Sequence, residues 1–339
     1  MLIYFRTRGG ASQGWGNIVR LTTVIKFLNK KKIKTLVFFE GDRNIHNYFN
    51  KNKINCFRMK ENISIIDEKK IYANFHKPDV FIIEMINCNY QRQILLKKHS
   101  KMLVVFDDIL SHKYIADVVI SMQNRKNKII KSNKTKFVSS YNFFPYREDL
   151  INISKKKKTI SPNLRKILVI LGGGKYDVAF YKIAKAVKKL SFNPQVDMIL
   201  GHSNYRRLRS SLKKINSKLN LIAGTDKVSR YLKNTDLAIV SGGYTKLEAA
   251  ASKTPLFAIC TQWHQIELSK SFKSFTGAPY LGHMTEISIN DISRLIEKFK
   301  SSKLRKKLKT SFEKKIKTEG VKNIYNFIQN EFQKISHGK

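Results

Sequence analysis

The segment NTDLAIVSGGYTKLE, residues 234–248, constrains this chain most. Residues 236–240 read as a buried strand, Ser241-Gly242-Gly243 as a tight turn, and a helix starts at Thr245 and runs on through Leu247-Glu248-Ala249-Ala250-Ala251. A strand, glycine turn and helix in that order leave the helix's first N–H groups unpaired beyond the strand's C-terminal edge. An anion placed there gains from both the donors and the helix dipole. A phosphate fits. Glu248 lies too close to that anion to ligate it, but is placed to accept two hydroxyls of an adjoining ribose, in charge-assisted hydrogen bonds worth roughly 1.5–3 kcal/mol each. An ordinary α/β crossover with an exposed helical Glu accounts for this one segment equally well.

The same pattern recurs along the chain. Residues 2–5 form a predicted strand, followed by a loop over 6–16 that holds Gly9, Gly10, Gly14 and Gly16. A helix with Ile18, Leu21, Ile25 and Leu28 at helical spacing comes next, then a strand over 34–39. These glycines are not spaced as G-x-G-x-x-G, so NAD is not expected and no cofactor is implied. Gly14 and Gly16 do permit close approach of a ligand to backbone. Further apolar runs cover 79–85, 102–106 and 116–120. The second ends in Asp107-Asp108, at the edge where open α/β sheets bind ligands. Residues 1–150 are therefore expected to form one doubly wound domain. Residues 151–165, with Lys155 to Lys158 and Ser161-Pro162, suit a linker.

The pattern then restarts, with a strand over 166–171, the turn Gly172-Gly173-Gly174 and a helix over 178–190. Strands are expected over 195–200, 219–223 and 256–260, and a basic helix over 206–214. Helices over 292–298, 302–315 and 321–335 close the chain, the last with Ile324, Phe327, Ile328, Phe332 and Ile335 on one stripe suited to core packing. Residues 166–335 are thus expected to form a second doubly wound domain.

A chain of 339 residues with 42% hydrophobic residues can bury two cores. Its net charge of +42 would ordinarily point to a polyanionic partner. The lysines are scattered through the sequence among Ile and Asn, however, and no zinc-finger, RRM or KH signature accompanies them. No specific nucleic-acid partner is expected; a nonspecific attraction to anionic membrane lipid or to nucleotide substrates stays open. Cys56, Cys88 and Cys260 are unspaced for metal or a disulfide framework. No metal is expected, and a reducing cytoplasm is. No apolar run approaches the ~20 residues of a membrane span.

With these residues in view, the chain resembles the PseG/SpsG family of UDP-sugar hydrolases in pseudaminic acid biosynthesis, relatives of the lipid II-forming N-acetylglucosaminyltransferase. The resemblance covers most of the chain and rests on three places. The first is Arg6 to Arg20, where Gly14-Trp15-Gly16-Asn17-Ile18-Val19-Arg20 stands at the family's Gly-x-Gly-His-x-x-Arg. The second is Asp107-Asp108 followed by Ala116-Asp117 and Gln123-Asn124. The third runs from Asp236 through Ser241-Gly242-Gly243-Tyr244-Thr245-Lys246-Leu247-Glu248 to Pro255, His264-Gln265, Gly277 and Leu281-Gly282. The resemblance implies a GT-B fold, two Rossmann-like α/β domains facing across a cleft. It further implies that Gly242, Gly243 and Thr245 meet a diphosphate and Glu248 the ribose, that Gly172, Gly173 and Gly174 line the cleft, and that Gln265 and His264 face the sugar. A helix N-terminal surface position is the other reading of Gln265.

The departures fall on the other domain. The family's general base is the His of Gly-x-Gly-His, and here that position is Asn17, whose amide cannot take a proton from water. The family's loop Asp appears as Arg8, and its Arg and His after the Asp pair fall at His112 and Tyr114. Three readings follow. In one, a sugar acceptor's hydroxyl attacks the anomeric carbon while Asp107, Asp108 or His112 serves as base and Asn17 positions the acceptor. In the second, a UDP-sugar hydrolase uses a relocated base. In the third, the protein binds nucleotide sugars without turnover. Arg8 and Arg20 are candidate phosphate contacts, although Arg20 could equally be a helix surface residue paired with an acid.

Overall fold

The computed structural model describes residues 1–10, 15–86, 88–110, 113–124, 135–225 and 227–337. The chain forms two compact units, one of Met1–Tyr146 with Glu319–Lys339 and one of Arg147–Thr318. The first unit runs β1 (Leu2–Arg8), α1 (Gly16–Lys30), β2 (Lys34–Glu40), α2 (Arg43–Lys51), β3 (Cys56–Met59), α3 (Ile65–Ala73), β4 (Val80–Glu84), α4 (Tyr90–Lys98), β5 (Met102–Phe106), β6 (Val118–Ser121) and β7 (Lys136–Ser139). The second continues with α5 (Glu148–Ser154), β8 (Lys166–Ile170), α6 (Asp177–Lys188), β9 (Gln195–Leu200), α7 (His202–Ile215), β10 (Asn220–Ala223), α8 (Val228–Lys233), β11 (Leu237–Ser241), α9 (Thr245–Ala251), β12 (Leu256–Cys260), α10 (Gln265–Thr276), β13 (Tyr280–His283), α11 (Ile289–Lys298) and α12 (Ser302–Lys315). The last helix, α13 (Gly320–His337), belongs to the first unit.

Both sheets are parallel, ordered β3-β2-β1-β4-β5-β6-β7 and β10-β9-β8-β11-β12-β13. The strand order reverses between β1 and β4 in one and between β8 and β11 in the other. At such a switch point the loops leaving the two strands diverge to opposite faces and open a crevice at the C-terminal edge. Among the central strands, β4, β5, β11 and β12 bury every residue along their whole length. This is why they read as unbroken apolar runs rather than alternating ones.

The chain division differs from the one read in the sequence at two places. Residues 151–165 are no linker. They lie inside the second unit, where the end of α5 takes in their first residues and Ile160 and Leu164 are buried at 9% and 5% exposure. The C-terminal helix lies outside the unit 166–335 expected for it. Its apolar stripe buries Ile324 and Ile328 in the first unit, and Tyr325 stands beside Phe27 of α1, with ring centroids 5.8 Å apart. Amphipathic spacing fixes which face of a helix is buried but carries no information about which unit receives it.

Lys158, in that supposed linker, donates to the carbonyls of Leu232 and Lys233 at 2.8 and 3.3 Å and to Thr254 Oγ1 at 2.8 Å. Burial pulls its pKa down to about 7, against the pull of Asp236 in the other direction. An unfolded lysine titrates near 10.4. Between those values the unfolded chain holds more protons than the folded one, so this group makes stability rise with pH across that window. Urea unfolding at pH 7 and pH 9.5 should therefore show a larger gain with pH for wild type than for Lys158→Met. Equal gains would remove Lys158 from that role.

Candidate functional site

In the second unit, the two glycine turns singled out in the sequence leave β8 and β11, the two strands that flank its switch point. Gly172 and Gly173 are exposed, and Gly172 adopts φ +94°, a left-handed conformation that a side chain would strain. The turn is held from behind by α7. Asn204, fully buried, donates to the carbonyl of Gly174 at 2.6 Å, and Arg207 in turn donates to Asn204 Oδ1 at 2.8 Å.

The second turn is packed more tightly. A Cβ on Gly242 would stand 2.7 Å from Ser269 Oγ, 2.9 Å from Gln265 Cβ and 3.0 Å from Cys260 Sγ, so only glycine lets β11 turn this close to α10. The first helical bonds of α9 are those that Leu247 and Glu248 donate to the carbonyl of Tyr244, at 2.8 and 3.2 Å. The amides ahead of them have no acceptor within the helix. None of α6, α9 and α10 has a side-chain cap, whereas Ser288 and Ser301 cap α11 and α12. Helices α7 and α8 lack one as well, so uncapped N-termini are not confined to the switch point; it is the place of α9 after β11 that brings its amides there.

Glu248 lies one helical turn beyond Tyr244, its side chain 20% exposed, with Arg147 Nη2 3.9 Å from its carboxylate. Burial pushes its carboxyl above the ordinary range, and the Arg147 guanidinium pulls it back. Gln265 is buried at 7% exposure and is no surface residue. Its Oε1 accepts from the amide and hydroxyl of Thr261 at 2.9 and 3.2 Å, while Nε2 stands 3.4 Å from where a Cβ on Gly243 would be. The side chain therefore bonds the loop after β12 and packs against the turn after β11. Thr245 is half-buried with its hydroxyl 3.5 Å from that of Ser241, and His264 is exposed at the N-cap of α10.

Two features of this site were not assigned a role from sequence. Lys246 is fully buried, donates to the carbonyl of Gly242 and lies over the ring of Phe272 at 5.7 Å. It sets a positive charge directly beneath the turn. Its place within the motif was the available signal, but a lysine at a helix start ordinarily reads as solvated. Arg147 is 101 residues from Glu248, and nothing in the sequence links the two.

The first unit arranges its candidates differently. Gly16 is exposed and opens α1, and Asn17 is half-buried in the same turn. Gly14 and His112 lie outside the described residues. Arg20 is no phosphate contact: at 6% exposure it is buried under the sheet edge, bonded to Glu84 and, at 2.9 Å, to Asp108. Asp108, itself 6% exposed, also accepts from Ser121 Oγ at 3.0 Å and the Met122 amide at 2.6 Å. Asp107 accepts from the amides of Ile109 and Leu110 at 2.8 and 3.1 Å and from the Tyr114 hydroxyl at 2.6 Å. Both oxygens of each carboxylate are committed to holding the loop after β5, which does not suit either to the role of general base. Glu84, at the end of β4, was missed by sequence reasoning. Burial raises its pKa to about 7, with Arg20 lowering it and Asp108 raising it. A carboxylate ending an apolar run was the signal that could have found it, as it found Asp107. A second buried cluster joins Arg6 to Glu40 and, at 2.7 Å, to Glu68, which also receives Arg92 at 2.7 Å. Among the described residues no group of three or more side chains could hold a metal ion, and no helix is long and apolar enough to cross a membrane.

No protein family profile matches the sequence. Among curated proteins, the chain is 24% identical over 278 residues to the uncharacterized protein MJ1062 of Methanocaldococcus jannaschii. That alignment takes in 76% of this chain, which spans about half of the relative's length, 55%. Solved structures share the architecture along nearly the whole chain. Acinetobacter baumannii MurG superposes with a TM-score of 0.66 at 11% identity, covering 96% of this chain and 99% of MurG. Anabaena HepE in complex with UDP gives 0.66 at 13%, covering 97% and 100%. The UDP-GlcNAc 2-epimerase of Neisseria meningitidis bound to UDP-GlcNAc gives 0.59 at 14%, covering 96% and 100%. The two parallel-sheet units therefore compose a GT-B fold of the kind seen in glycosyltransferases.

Proposed function

We propose that this protein binds a UDP-linked sugar through its second unit and transfers the sugar to an acceptor, releasing UDP. The observation that carries the reading is the pair of glycine turns, Gly172–Gly174 and Gly242–Thr245, on the two strands flanking one switch point, with the Glu248 carboxylate one helical turn further on. The diphosphate takes the amides of the second turn. As the anomeric C–O bond breaks, its electron pair passes to the β-phosphate oxygen while the acceptor's oxygen bonds the anomeric carbon and gives its proton to His112; those amides, the dipole of α9 and the buried Lys246 ammonium stabilise the growing charge on the diphosphate. Glu248 accepts the ribose hydroxyls, and Arg147 helps hold it ionised against its burial. Binding should weaken on acidification through that raised pKa, because a protonated carboxyl loses its charge-assisted bonds. Two proteins of the same fold hold UDP and UDP-GlcNAc, which supports a nucleotide sugar as ligand here.

Transfer is preferred to the hydrolysis of the PseG/SpsG enzymes because the position of their general base carries an amide, Asn17, which can orient an acceptor hydroxyl; with Asp107 and Asp108 bonded within their own loop, His112 is the base candidate left for the acceptor's proton. An amide positions a hydroxyl but does not deprotonate water.

The test is thermal unfolding with and without UDP. Wild type should be stabilised by about 2.7 kcal/mol at a UDP concentration a hundred times the Kd. Glu248→Ala should lose that gain while keeping the fold, since its side chain is partly exposed and bonds no core group. Equal stabilisation of the variant would remove the ribose assignment. No stabilisation of wild type would sink the nucleotide-sugar reading itself.

A further inference from the structure

Trp263 is a large indole left 57% exposed on a short exposed loop, Gln262 to His264, between buried Thr261 and buried Gln265. It lies between β12 and α10, two residues before Gln265, which bonds this loop at Thr261 and packs against the Gly242-Gly243 turn. One face of the indole is stacked on His283, with ring centroids 3.9 Å apart and an interplanar angle of 11°. His283 is itself fixed. It is 5% exposed, and its Nδ1 pairs with Thr285 Oγ1 at 2.7 Å. The turn that carries it is pinned in place by Lys182, whose ammonium donates to the carbonyls of Met284, Thr285 and Ile287 at 3.0, 3.1 and 2.7 Å. The amide of Met284 bonds the carbonyl of Cys260, joining this turn to the end of β12.

An exposed tryptophan is ordinarily a loss, because its apolar surface stays in water. Here the stacked and buried His283, itself held by Thr285 on a turn that Lys182 pins, backs one face of the indole, which lowers the conformational freedom to be lost when a ligand covers its outer face. A flat, rigid aromatic surface with its polar N–H at one edge takes a ring that presents a face of C–H bonds, and the sugar ring of a nucleotide sugar has such a face. From these observations we infer that Trp263, backed by His283, is the platform for the pyranose ring of the donor sugar. The inference rests on the nucleotide-sugar reading above and deepens it. Trp263 contacts the substrate. His283 is a positioning residue that acts through the indole.

The chain has two tryptophans, so Trp15→Phe leaves Trp263 as the sole reporter of its own environment. In that background UDP-N-acetylglucosamine should change the tryptophan emission, and UDP should not. Trp263→Ala should weaken binding of UDP-N-acetylglucosamine by about tenfold, the scale of one good aromatic contact, and leave UDP within about twofold of wild type. His283→Phe should preserve the emission change and the affinity, because a phenyl ring can restack, whereas His283→Ala should raise the emission mobility of Trp263 and weaken only the sugar-bearing ligand. If Trp263→Ala weakens UDP as much as UDP-N-acetylglucosamine, the indole stacks on the base and the sugar platform is overturned. If it weakens neither while both still bind, the platform is overturned and nucleotide binding stands. Failure of wild type to bind UDP at all overturns the nucleotide-sugar reading and the platform with it.

Discussion

Arg20→Met should cost about 3–5 kcal/mol of stability at pH 8, the range found when one partner of a buried ion pair is removed. Arg20 is the cation shared by Glu84 and Asp108, all three buried to 6% exposure or less. Without it two carboxylates face each other in a site that desolvates both. With Arg20 in place, burial and the nearby Asp108 already lift Glu84 to about pKa 7, and loss of the guanidinium lifts it further. The sign follows from linkage. The folded state binds a proton at Glu84 that the unfolded state, titrating near 4.3, has already released, so stability falls as pH rises from about 4.3 through the folded pKa. The penalty of Arg20→Met should accordingly shrink between pH 8 and pH 5, where Glu84 can take up the proton. Adding Glu84→Gln should recover part of the loss at pH 8. Urea unfolding of the three proteins at the two pH values checks this, and a penalty independent of pH would show that Arg20 acts by packing its stem rather than by its charge.

Gly242→Ala should abolish the stabilisation by UDP and lower intrinsic stability by about 1–3 kcal/mol, as overpacking of a full site does. The added methyl would meet Ser269 Oγ, Gln265 Cβ and Cys260 Sγ at 2.7–3.0 Å, so either the turn or α10 must move. Moving the turn displaces the amides proposed to hold the diphosphate, and moving α10 shifts Gln265 away from Gly243. Thermal unfolding with and without UDP reads both effects in one experiment. A variant that loses stability yet gains as much from UDP as wild type would show that the turn packs the unit without touching the ligand. Gly243 is the contrasting position, since a Cβ there would meet Gln265 Nε2 only at 3.4 Å and should be tolerated by the fold.

Much of the architecture was legible in the sequence because parallel strands buried on both faces leave continuous apolar runs, and β1, β2, β4, β5, β8, β9, β11 and β12 all do so. The strands that escaped notice are β3, β7 and β13, all of them sheet edges. Each is four residues long, and each has exposed or half-buried positions that break the apolar run. An edge strand is fixed by pairing to a neighbour distant in sequence, so its own residues need not announce it.

The two sites divide along the same line. Glycine turns at the ends of β8 and β11 were readable because backbone geometry is a local property: a left-handed φ at Gly172 or a Cβ-free approach at Gly242 demands that residue at that place. The sequence by itself therefore determined the doubly wound pattern, the phosphate-suited turn and the absence of a titratable group at Asn17. Only the tertiary structure decided that Arg20, Asp107 and Asp108 are spent within their own unit, that Lys246 turns its charge inward, that Arg147 faces Glu248, that His283 holds Trp263 and that the last helix joins the first unit. Those outcomes depend on which charges and rings meet across long stretches of chain. A carboxylate or an indole becomes a site or a strut according to the partner that packing brings to it, and local spacing does not name that partner.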